Sequence, residues 1–148
     1  MIIVAIDETD INKSRRIIES LDNQKCMIKI GSVAFNSLGR DFIHYVANKN
    51  FDIFLDLKLH DIPNTVSKTI KGLSDLPIQM LTIHTSGGIE MMTSAMEAVK
   101  ESKIKIFGVT ALTSLSDDDI NSIFQRTSLE QVKVMLDLAE SVGIDGVV

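Results

Sequence analysis

Residues 51–66 read FDIFLDLKLHDIPNTV, and the reading of this stretch decides the fold. It has the Phe, Ile and Leu content of a buried strand up to its middle, yet Asp56, Lys58 and then Asp61 interrupt the run. Burying an ion is costly unless it is paired and hydrogen-bonded, so three charges at a strand's end imply partners waiting there. Strand side chains alternate, which puts Asp56 and Lys58 on one face roughly 7 Å apart, with Leu55 and Leu57 turned toward covering helices. Pro63 suits the first turn of a helix, where its missing N–H is not needed. The stretch is a strand, a charged edge and a helix start.

The same unit repeats outward in both directions. Strands are expected at 2–7 (IIVAID), 26–31 (CMIKIG), 51–58, 79–84 (QMLTIH), 104–110 (IKIFGVT) and 144–148 (IDGVV). Between them, 10–23, 34–49, 63–74, 89–102 and 128–143 carry apolar residues at helical spacing, with Gly143 placed to end the last helix. The connection 112–127 (LTSLSDDDINSIFQRT) is long enough for one short helix of its own. Alternating strands and helices imply an α/β fold around a parallel sheet. A (β/α)8 TIM barrel takes about 250 residues. Six strands in 148 residues, with GIDGVV reading as an uncovered strand, therefore suggest one domain over 1–148, a barrel truncated to about six βα units.

Composition narrows the function. The 15 basic and 20 acidic residues give a net charge of −5 without a basic stripe, which argues against nucleic acid as a partner. No apolar run approaches the ~20 residues of a membrane span, and MIIVAIDE turns acidic too early for a signal peptide, so a cytoplasmic protein is expected. The single Cys26 excludes an internal disulfide and reads as a small core residue rather than a nucleophile.

Polar residues gather where strands end. Asp7 closes the first strand, Lys29 lies late in the second, His84 ends the fourth, and 110–114 follow the fifth. That edge is where parallel α/β folds keep their active sites. Each residue has an ordinary reading as well. Asp7 alone could cap the next helix, Lys29 could extend from a core edge, His84 could be structural, and His44 and His60 could be merely exposed. Ser86-Gly87-Gly88 reads as a tight turn before it reads as a phosphate cradle, and Asp117–Asp119 as a solvated face before a metal site. Two acids and two lysines converging on one sheet edge are harder to explain structurally.

The stretch LDLKLHDIPNTV resembles the orotidine 5'-phosphate decarboxylase family, and VAID, IKIG, TIHTSGG and VTALTSL follow that family's order along the whole chain. The resemblance implies a (β/α)8 barrel that decarboxylates orotidine 5'-monophosphate (OMP) to uridine 5'-monophosphate (UMP), without cofactor or metal, as a homodimer with shared active sites. It implies that Asp7 and Lys29 bind the ribose hydroxyls, that Asp56 sits beside the substrate carboxylate, and that Lys58 is the catalytic acid. Asp61, Ile62 and Thr65 would reach into the partner's site, and Thr113 would lie over the pyrimidine. The family's phosphate grip comes from its last two βα units, which lie beyond Val148, so an incomplete copy is expected. Two alternatives stand beside this reading. One is a non-catalytic fragment that dimerises or complements a second chain; the other is a Mg2+-dependent aldolase like the hexulose phosphate synthases.

Overall fold

A computed structural model of the chain describes residues 2–148. The elements run β1 (Ile2–Ile6), α1 (Ile11–Glu19), β2 (Cys26–Gly31), α2 (Ser32–Asn48), β3 (Ile53–Leu59), α3 (Pro63–Leu73), β4 (Met80–His84), α4 (Gly88–Val99), β5 (Lys105–Val109), α5 (Asp117–Phe124), α6 (Ser128–Val142) and β6 (Gly146–Val147). The strands form one six-stranded sheet in chain order, and β1–β2, β2–β3 and β5–β6 pair in parallel. Each expected strand and helix is present, the fold is α/β, and the 112–127 connection contains the short α5.

The chain divides into two compact units, one running to Leu57 with Leu73–Leu81, the other made of Lys58–Gly72 and Thr82–Val148. In the first, Ile6, Ile28, Ile30, Phe42, Ile43, Val46, Ile53 and Leu55 are fully buried or nearly so. Strand β1 is the exception, since Ile2 and Ile3 are 63% and 41% exposed. Helix α1 starts at Asp10, whose carboxylate accepts the Lys13 N–H at 2.8 Å. The capping role weighed for Asp7 therefore belongs to Asp10, three residues later, because β1 ends at Ile6 and leaves room for a turn. Helix α2 breaks at Gly39 (φ 71°, ψ −169°), a conformation that side chains disfavour. Cys26 is half-buried at the start of β2, its thiol 3.4 Å from the Asp22 carbonyl, rather than within the core.

In the second unit, Val66, Ile70, Ile83, Met91, Met92, Ala95, Ile106 and Ile120 are buried. Pro63 opens α3 as its chemistry dictates. Helices α5 and α6 both begin with capping boxes, Ser116 with Asp119 and Thr127 with Glu130, which satisfy N–H groups that the first turn leaves unpaired. Gly143 ends α6 in the left-handed region (φ 78°). Strand β6 is shorter than 144–148 because the Ile144 N–H closes the helix on the Ala139 carbonyl, and Asp145 exchanges bonds with Ile106 through its N–H and carboxylate.

Candidate active site

In the first unit, the ends of β1 and β2 lie level with the middle of β3. The register sets Gly31 of β2 opposite Asp56 of β3, while β1 and β2 pair up to Ile6 and Ile30. Asp7, the next residue of the chain, lies beside Gly31: a Cβ at position 31 would stand 3.3 Å from Asp7 Oδ1. The missing side chain at Gly31 thus leaves a gap in the row. Lys29, two residues back on the same face, extends forward to bring its Nζ within 3.1 Å of Asp56 Oδ2. Asp56 is only 7% exposed, and the lysine makes that burial tolerable. Asp7 itself is exposed.

The second unit begins at Lys58. Its backbone is left-handed (φ 50°), which costs a non-glycine residue on the order of 1 kcal/mol or more and persists only where surrounding contacts enforce it. The period-two argument that put Asp56 and Lys58 on one face assumes extended backbone, so it stops at Leu57. The Lys58 N–H donates to Thr82 Oγ1 at 2.8 Å, and Thr82 is fully buried in β4. Two residues further on in each segment, the exposed His60 just past β3 and the half-buried His84 lie with ring centroids 5.2 Å apart and planes tilted by 33°. Burial, and then the neighbouring His60 and Lys58, hold the His84 imidazole below its ordinary pKa of 6.5, which keeps it neutral at pH 7.

Asp61 is exposed, and its Oδ1 accepts the Ile62 N–H at 2.7 Å. The Ile62 carbonyl in turn accepts the N–H groups of Thr65 and Val66, which starts α3 and leaves the Ile62 side chain 65% exposed. Thr65 is half-buried, and Thr113 is exposed in the connection between β5 and α5. His44 is exposed. Residues 85–87 form a 3-10 turn pinned by Thr85 Oγ1 donating to the Val109 carbonyl, in keeping with the tight-turn reading. Asp117–Asp119 are exposed in the first turn of α5, where negative charge suits the helix dipole. Thr82 is the residue that sequence reasoning passed over. In MLTIH it looks like an ordinary strand former, and its bond to Lys58 is what sets it apart.

The family model described as orotidine 5'-phosphate decarboxylase / HUMPS family matches residues 1–148. The chain belongs to this family. It is 43% identical over 148 residues to the orotidine 5'-phosphate decarboxylase of Ehrlichia canis (strain Jake), with 99% of this chain and 65% of that protein covered. The protein of the same name from Wolbachia sp. subsp. Brugia malayi (strain TRS) is 42% identical, with 99% and 66% covered. The crystal structure of orotidine 5'-phosphate decarboxylase from Lactobacillus acidophilus superposes with a TM-score of 0.91 at 35% identity, covering 99% of this chain and 69% of that one. The chain spans about 65% of the length of the curated relatives it matches. Among the described residues, no helix is long and apolar enough to cross a membrane.

Proposed function

We propose that this chain takes part in decarboxylating OMP to UMP in the cytoplasm, as one subunit of a homodimer with shared active sites. The observation that carries the proposal is the Lys29–Asp56 ion pair between β2 and β3, its carboxylate buried, in a chain whose family relatives are named for this reaction. A pair held in that way keeps a carboxylate charged inside the fold, a cost with little structural return.

The chemistry follows from charge. Loss of CO2 leaves a carbanion in the plane of the pyrimidine, and a fixed ammonium at that carbon both stabilises the developing charge and supplies the proton. Lys58 takes this role in the proposal. Asp56 lies beside the departing carboxylate, and Lys29 holds Asp56 charged and oriented while sharing the ribose hydroxyls with Asp7. Asp61, Ile62 and Thr65 complete the partner's site, and Thr113 covers the pyrimidine. No cofactor or metal has a step in this scheme. Family members draw further catalysis from gripping the remote phosphate, binding energy used at the reacting carbon.

The test is OMP decarboxylation by the purified protein, compared with Lys58→Ala and with UMP affinity in both. We expect Lys58→Ala to lose turnover by orders of magnitude while UMP affinity changes little, because the ammonium acts on transition-state charge. Near-normal turnover in the alanine variant would remove Lys58 from the mechanism. A magnesium requirement would favour the aldolase branch of the family.

A further inference from the structure

The hydroxyl of Thr82 has a bond that its neighbours in β4 do not explain. Leu81 and Ile83 on either side are fully buried and apolar, and Thr82 is fully buried as well. A buried hydroxyl costs free energy unless it is hydrogen-bonded, and valine would fill the same shape without that cost. What the hydroxyl does in this position is accept the backbone N–H of Lys58 at 2.8 Å. Lys58 is one of the few non-glycine residues with a positive φ, a conformation that needs enforcement from outside. Two residues on, β4 meets the same segment again through His84, whose ring lies against His60. Strand β4 therefore grips positions 58 and 60 with residues 82 and 84.

We propose that Thr82 is a positioning residue for Lys58: its buried hydroxyl fixes the left-handed backbone from which the Lys58 ammonium is presented. Thr82 touches no reacting atom in this assignment and acts only through Lys58. The inference rests on the reading of Lys58 as proton donor, since the value of an accurately held backbone lies in where it puts the ammonium. A displacement of about 1 Å at a reacting group is enough to cost ~100-fold in rate.

Two measurements separate this role from a merely structural one. The first is hydrogen exchange of the Lys58 amide in the wild type, Thr82→Val and Thr82→Ser, with Thr82→Ala used in place of valine if the valine variant does not fold. We expect valine to speed exchange at Lys58 about 10-fold, the change that follows from loosening one hydrogen bond, and serine to restore protection. The second is the split between kcat and UMP affinity. Valine lowers kcat about 10- to 100-fold with UMP affinity within about 3-fold, and serine recovers most of the turnover. Unchanged Lys58 exchange in the folded valine or alanine variant overturns the proposal, as does a serine variant that exchanges or turns over no better than valine. If the wild type shows no decarboxylation at all, the functional reading fails, and the exchange series still decides whether Thr82 holds Lys58.

Discussion

Lys29 Nζ and Asp56 Oδ2 stand 3.1 Å apart on two adjacent parallel strands, the carboxylate side chain 8% exposed and the lysine side chain 26%. The asymmetry sets the energetics. Asp56 has lost nearly all its water and depends on its partner, whereas Lys29 keeps part of its hydration. Asp56→Ala should therefore destabilise the protein by roughly 2 kcal/mol, below the range for fully buried pairs because the stranded ammonium can still reach solvent. Lys29→Met should cost a similar amount, since it removes a positive charge from beside the more buried ion. The double variant Lys29→Met/Asp56→Ala should be more stable than the sum of the two losses, by about 1 kcal/mol or more. Urea unfolding of all four proteins checks this; strict additivity would mean the two charges are not coupled.

Gly31 offers a test of the row formed by Asp7, Gly31 and Asp56. Gly31→Ala puts a methyl group 3.3 Å from Asp7 Oδ1, closer than comfortable contact, and the exposed carboxylate must move by a few tenths of an ångström. The φ of Gly31 is −87°, which alanine accepts, so stability should change by less than about 1 kcal/mol. If Asp7 binds ribose as proposed, UMP affinity should fall about 10-fold through loss of one charge-assisted hydrogen bond. Calorimetric titration with UMP reads it directly. Unaltered affinity would place the ribose contact elsewhere.

The βα alternation was legible because each strand is a short apolar run and each helix has a polar face, and Pro63 and Gly143 mark helix ends by backbone chemistry alone. The charged edge was legible for the opposite reason: Asp56 and Lys58 stand where apolar residues are expected. Three features were not. The cap at Asp10 rather than Asp7 depends on where β1 stops, and both aspartates follow the same apolar run. The left-handed backbone at Lys58 has no sequence mark, since asparagine or glycine would have announced it and lysine does not. The partnership of Thr82 with Lys58 joins residues 24 apart, and threonine is at home in any strand.

His84 supplies a pH dependence. Its imidazole is held below the ordinary value of 6.5 by burial first, then by His60 and Lys58. The folded state therefore binds this proton less readily than the unfolded chain does. Above about pH 6.5 both states are neutral at this site and nothing is lost; as pH falls below that value the unfolded chain takes up the proton first, and stability declines until the folded pKa is passed. We expect His60→Ala to raise the His84 pKa by removing one repulsive neighbour, and to reduce the decline between pH 7 and 5. Imidazole NMR titrations in the two proteins measure the shift. A His84 that titrates at or above 6.5 in the wild type would contradict the contribution of burial.

Asp61 and Ile62 bear on the proposed sharing of sites between subunits. Asp61 is exposed and Ile62 is 65% exposed at the start of α3, so both are open to a second subunit. If Asp61 completes the partner's site, Asp61→Ala and Lys58→Ala proteins will each be nearly inactive, and mixing them will restore activity. Random exchange makes half of the dimers hybrid, and each hybrid has one site with both residues intact, so recovery should approach about a quarter of the wild-type rate per subunit. Exchange is verified independently with two differently tagged subunits. Recovery must follow the rate of exchange and vanish when exchange is blocked by cross-linking the parent dimers before mixing. With exchange demonstrated and no recovery, Asp61 would have to act within its own subunit.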